Sequence, residues 1–189
     1  LSPGSDGPDQ RGVRWDDHFG SWTGPFVMAA INSKVVRRSN ALASLVYGAD
    51  FSYDESLLVD NRRSGLLMAG GMSIGMTALA IPPLRRLISK RLPQPGEGPS
   101  VSERENGFFE FFVHAHHPTD SEKDVRICVQ GKRDPGYGAT ARMLAQAGLS
   151  LAFDDLDVEG GIWTPASALG NHLVNRLADV DITFEDVSP

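Results

Sequence analysis

The sequence predicts an α+β fold: a mainly antiparallel sheet with helices packed largely on one face. Three observations carry that expectation. Val125, Ile127 and Val129 alternate with Arg126, Cys128 and Gln130, the period of two that marks a half-buried strand. The aromatic run Gly107–His114 precedes it across the polar loop 117–123, which is the spacing of an antiparallel hairpin. Downstream the spacing turns helical. Ala141, Met143, Leu144, Ala147, Leu149 and Leu151 spread over one broad face, and Leu169, Leu173 and Leu177 form a second stripe. Val180, Ile182 and Phe184 then alternate as a last strand.

Taken in order, residues 1–21 read as a polar linker or tail, rich in Gly, Pro and Asp and without an initiator Met. The domain proper reads as 22–189. Pro25 is placed to open a helix capped by Thr23, with Phe26, Ile31, Val35 and Leu42 as its apolar side. Arg37, Arg38, Ser39 and Asn40 follow as a compact polar and cationic group. Two readings stand for it. It is a solvated helix end whose arginines complement the helix dipole, or, with Asn32, it faces a cofactor or substrate and binds phosphate through arginine forks. A strand is expected over 46–53, carrying Tyr47, Phe51 and Tyr53 into the sheet.

Gly65 to Leu84 contains no charge, yet Arg62 and Arg63 precede it and Arg85, Arg86, Lys90 and Arg91 follow it. A helix over 65–81 would be about 25 Å long, at the lower bound for crossing a bilayer. Gly65, Gly70, Gly71 and Gly75 dilute its apolarity, Pro82-Pro83 ends it, and basic flanks on both sides leave its orientation undetermined. Met68, Met72 and Met76 recur on one helix face, and Gly71 and Gly75 form a small-residue pair on a neighbouring one. The run reads as a buried or dimer-facing helix, or as a lipid-contacting element in which Met68, Met72, Met76, Arg85 and Arg86 meet lipid at the interface or wall an acyl tunnel.

Gly96-Glu97-Gly98-Pro99-Ser100 has no strand before it and a proline where a helix should begin, so it does not make a dinucleotide site. His114, His116 and His117 sit at the end of the aromatic strand. No zinc-type spacing accompanies them, and no metal site is assigned. Gly131-Lys132-Arg133-Asp134-Pro135-Gly136-Tyr137-Gly138 lies between strand and helix. Its N–H groups can hold an anion there, but it lacks the ending of a phosphate loop and reads as a tight connection. Thr164-Pro165 supplies a hydroxyl cap and a first-turn proline for the last helix.

The runs 24–42, 131–141 and 160–166 resemble the C-terminal half of the saccharopine dehydrogenase-like oxidoreductases. Within that family they are most similar to the bacterial trans-acting enoyl reductases of lipid and polyketide synthesis. The resemblance covers the chain from about Trp22 onward. It implies the second domain of a two-domain Rossmann-type reductase, supplying substrate walls and subunit contact. NAD(P)H would be bound mainly by an N-terminal Rossmann half that is absent from this sequence, and this chain by itself would bind no cofactor and be inactive. It further implies an acyl substrate, carrier- or CoA-linked, a polyketide or fatty-acid synthase as partner, and a homodimer. Tyr137 is the one catalytic candidate, as a proton donor, with capping of its loop as the alternative.

Composition bounds the rest. With 189 residues and 41% hydrophobic content, the chain can bury one substantial core. A single cysteine rules out an internal disulfide framework, and Cys128 reads as a structural thiol. Net charge −6 argues against nucleic acid as a partner. The expected location is the cytoplasm, peripheral at the membrane if 65–81 touches lipid. The alternative to an enzyme is a non-catalytic lipid-surface or protein-interaction module of the same fold.

Overall fold

The structure, a computed structural model, describes residues 10–90 and 96–188. The chain forms two compact units, divided between Pro95 and Gly96. The fold is α+β, but the strands make two three-stranded antiparallel sheets, where the sequence pattern suggests one.

In the first unit, β1 (Arg14–Asp16), β2 (Ser21–Pro25) and β3 (Ser56–Val59) pair in that order. Trp15 opposes Trp22, edge to face at 5.7 Å. The polar tail expected over 1–21 therefore contains a strand; residues 1–9 lie outside the described residues. Thr23 and Pro25 also differ from expectation, since both are buried in the central strand. Thr23 meets Gln10 Nε2 at 3.1 Å rather than capping a helix. The helix α1 (Ala29–Leu42) starts one turn later, without a side-chain cap.

The strand expected over 46–53 does not form. Ser44 and Leu45 take positive φ (57° and 61°), and Gly48 does the same at 95°. Asn40, buried at the end of α1, receives the Tyr47 N–H at 2.9 Å and donates to the Gly48 carbonyl at 3.0 Å. A buried amide that satisfies two backbone groups holds a turn against the β propensity of Val46 and Tyr47. The strand is β3, displaced downstream, where Leu57 and Leu58 pair with Gly24 and Thr23.

Next come α2 (Arg62–Ala80), capped by Asn61 at the Ser64 N–H, and α3 (Pro82–Ser89). Pro82-Pro83 ends the apolar run as expected and also begins α3, at 107° to α2.

The second unit opens with α4 (Val101–Asn106), held by a Ser100–Glu103 capping box. The hairpin of β4 (Phe108–Ala115) and β5 (Val125–Lys132) follows the expected positions, and β6 (Ile182–Asp186) joins on the other edge of β5. Next to it run α5 (Gly138–Phe153) and α6 (Pro165–Ala178). Thr164 caps α6 in a box with Ser167, as the Thr-Pro pair suggests. The core joins Ala139, Leu177 and Ile182, with Phe109, Val129, Met143 and Leu173 packed around them. Arg176 grips Asp154 with both arms of its fork, and Ser150 donates to the same carboxylate at 2.7 Å, fixing the end of α5 to α6. These bonds hold the Asp154 carboxyl well below the usual carboxylate range.

Candidate functional site

The polar group at the end of α1 divides. Ser39 and Asn40 are buried and structural; the Ser39 hydroxyl donates to the Val35 carbonyl at 2.9 Å. Asn32 and Arg37 instead meet the segment 53–55. Asn32 Nδ2 donates to Glu55 Oε2 at 2.8 Å, the Tyr53 hydroxyl donates to Glu55 Oε1 at 2.7 Å, and the Arg37 guanidinium donates to the Tyr53 carbonyl at 3.1 Å. Glu55 is buried. Burial, followed by the bond to Glu55, pushes the Tyr53 phenol well above its ordinary range, so Tyr53 holds its proton. In the sequence Tyr53 reads only as an aromatic of the strand expected over 46–53, and Glu55 does not stand out. Their signal is the Tyr-x-Glu spacing, which puts both side chains on one side of an extended stretch. Lys34 and Arg38, one turn apart on α1, are both exposed.

The α2–α3 elbow holds the second group of predicted residues. Gly65 is the only buried residue of α2. Met68 lies against β2, where a Cβ on Gly24 would fall 2.7 Å from its Cε. Met72 is half-buried and Met76 exposed, so the methionine row turns from the unit's own sheet towards solvent along its length. Arg62 stands over Trp22 at 5.9 Å. Arg63, Arg85, Arg86 and Lys90 are exposed; Arg91 lies outside the described residues. At the bend, Ser73, Ile74, Thr77, Ala78, Ile81 and Leu84 line an open cleft of about 310 Å³.

In the second unit, the turn 131–138 is closed by Asp134. Its carboxylate accepts from the N–H groups of Gly136 (2.9 Å), Tyr137 (3.1 Å) and Gly138 (2.8 Å). These bonds, the one from Gly138 foremost, hold the Asp134 carboxyl below its ordinary range. An anion at the start of α5 would have to displace a carboxylate already there. Tyr137 is 58% exposed, with its ring 3.9 Å from where a Gly98 Cβ would lie. It belongs to this turn, while Asn32, Arg37 and Arg38 belong to the first unit.

At the far end of β4, His116 Nδ1 and His114 Nε2 converge on Asp124 Oδ2 at 2.8 and 3.3 Å, and the His117 N–H donates to Asp124 Oδ1 at 2.8 Å. The bond from His116, with those from His117 and His114, lowers the Asp124 carboxyl from the ordinary 3.8 to about 2. Cys128 is buried; burial, then Glu110 and Glu185, raise its thiol, the opposite of an activated nucleophile.

Comparison with known proteins gives the site its context. The chain is 35% identical over 195 aligned positions to a Mycobacterium tuberculosis protein that carries the provisional name trans-acting enoyl reductase; the match takes in 98% of this chain and 46% of that protein. It is 36% identical over 174 positions to the trans-acting enoyl reductase of Mycobacterium bovis, covering 87% of this chain and 41% of the relative. The trans-acting enoyl reductase of Mycobacterium ulcerans matches at 31% over 173 positions. No protein-family model matches the chain, and no solved structure does. The chain is thus a relative of the trans-acting enoyl reductases and spans about half the length of the curated relatives it matches.

Proposed function

We propose that this chain is the substrate-binding and subunit-contact portion of an NAD(P)H-dependent enoyl reductase acting in trans on acyl chains of lipid or polyketide synthesis. In this reading it is the second domain beside a Rossmann-type cofactor domain, of the saccharopine dehydrogenase-like kind. The observation that carries it is the 35% identity extending across 98% of the chain to a protein named for that activity.

The turn 131–138 does not fit the pyrophosphate of a nicotinamide cofactor. This strand-to-helix connection has its N–H groups taken by Asp134. The reading therefore gives the cofactor to residues outside this chain. To α1 it gives the phosphate-bearing arm of a pantetheine thioester, through the exposed cations Lys34 and Arg38. Asn32, Tyr53 and Glu55 behind them keep the segment 53–55 against α1. Tyr137 serves its turn, and no step is assigned to it.

Fluorescence titration of the chain tests this. A long-chain 2-enoyl-CoA is expected to bind saturably, and about tenfold more weakly in Lys34→Ala/Arg38→Ala, the order of magnitude of one charge-assisted bond to phosphate, while NADPH does not bind. Low-micromolar NADPH binding, or no binding of any acyl thioester, overturns the reading. A non-catalytic lipid-surface module is the second reading, favoured by the exposed apolar side chains of α2 and α3; it requires no thioester binding at α1.

A further inference from the structure

We propose that the α2–α3 elbow docks the protein on an anionic lipid surface, lying in the plane of the interface with its apolar side chains inserted among the acyl chains. The proposal is independent of the reductase reading, because no acyl thioester or cofactor takes part in it.

The apolar side chains are on the outside. Leu67 is 78% exposed, Ile74 72% and Leu87 57%, with Leu66, Ile81 and Leu84 also open to solvent. Leu67, Ile74 and Ile81 recur at seven-residue spacing, so they share one stripe of α2 and its end. On α3, Leu84, Leu87 and Ile88 fall on one side and Arg85, Arg86 and Ser89 on the other. Among the described residues no single helix is long and apolar enough to cross a membrane, and the 107° bend sets α3 nearly at right angles to α2. A broken pair with an amphipathic second arm suits the interface rather than a span.

Charge selects the occupant. From Arg62 to Lys90 there are five cations and no carboxylate. The first unit has eleven Lys and Arg against eight Asp and Glu, a net +3, whereas the second has seven against sixteen, a net −9. The cations bracket the uncharged stretch at both ends, where headgroups lie when the stretch is inserted. A second copy meeting this face across a two-fold axis would set the same cations against each other. The two hydroxyls of the stretch are already satisfied within it, Ser73 Oγ on the Ala69 carbonyl at 2.9 Å and Thr77 Oγ1 on the Ser73 carbonyl at 2.8 Å. That self-contained polarity is what a helix facing hydrocarbon needs.

Flotation of the full chain with vesicles of phosphatidylcholine alone, or with about one-third phosphatidylglycerol, tests the proposal. The parent is expected to float with the anionic vesicles at low salt and to be released as salt rises. Arg85→Glu/Arg86→Glu should weaken the partition about thirtyfold or more, from about fivefold per cation removed. Ile74→Asp/Leu87→Asp should abolish it at exposed positions where folding, checked by circular dichroism, is undisturbed. Lys123→Glu, a cation of the second unit, should float like the parent. A parent that stays at the bottom with anionic vesicles at low salt overturns the proposal. So does an Ile74→Asp/Leu87→Asp protein that floats as well as the parent, or equal flotation on neutral and anionic vesicles. Capture by an acidic carrier protein with no vesicle binding assigns the face to a protein partner and likewise overturns it.

Discussion

Gly131 is a residue whose missing side chain is a packing requirement. A Cβ there would lie 2.5 and 2.7 Å from the Phe109 ring and 3.1 Å from Ile182, in the middle of the second core. Gly131→Ala is expected to cost about 1–3 kcal/mol through overpacking, read as a lower urea midpoint. Gly148→Ala is the contrast. It sits on α5 with nothing within 4 Å of the added atom, so it should gain about 0.5–1 kcal/mol in helix propensity. Asp124 gives a pH dependence. Its folded pKa of about 2 lies below the ordinary 3.8, so its contribution to stability is complete above about pH 4 and disappears as pH falls through 2. Stability measured by denaturant between those limits should fall less steeply in Asp124→Asn than in the parent. An unchanged slope would remove the bonds from His114 and His116 to Asp124 from the account. The three histidines are conspicuous in the sequence, but Asp124 is not, because the carboxylate that joins them comes from the far side of the loop.

At the scale of elements, the sequence is most readable where one periodicity runs long and both partners of a contact are near in sequence. The β4–β5 hairpin and the Thr164 cap meet those conditions and form as expected, whereas the leucine stripe of α6 is interrupted at Gly170, whose φ of 46° kinks the helix between Leu169 and Leu173, although Leu169 and Leu177 are both buried. The first unit meets fewer of them. β1 has three residues and β3 four, too few for a period of two to declare itself. Val46 and Tyr47 look like a strand, yet Asn40 and three positive-φ residues turn the chain there. Thr23-Gly24-Pro25 has the composition of a helix start, but its Thr is wanted by the sheet. The elbow is half legible. The uncharged run and its basic ends can be read from the residues, while the 107° bend and the turning of Met68 towards Gly24 depend on packing. The α1 cluster is legible only as a group of polar residues. Which of them face inward is decided by the segment 47–55 that returns over the helix, bringing Tyr53 and Glu55 to Asn32 and Arg37.

For the whole molecule, the balance of buried and exposed apolar surface points to association. Among the described residues the buried apolar side chains are few: Pro25, Ala29, Cys128, Ala139, Leu169, Leu177 and Ile182. Against that thin interior, α5 turns a continuous apolar face outward, with Leu144 at 73% and Leu151 at 64% exposure and the small residues Ala141 and Gly148 on the same stripe. Its single charge, Arg142, is engaged by Asp181 at 2.9 Å and by the Val180 carbonyl at 2.8 Å. Two copies of this helix can therefore meet with little charge repulsion, even though the unit carrying them is acidic. Small residues between the leucines also let the backbones approach closely. The expected outcome is a homodimer by light scattering, with Leu144→Asp/Leu151→Asp shifting it to the 20.4 kDa monomer. Both positions are exposed, so the circular dichroism of the variant should match the parent's. Vesicle flotation should be retained in it, because the elbow belongs to the other unit. A parent that stays monomeric at high concentration assigns the α5 face to some other partner than a second copy of this chain.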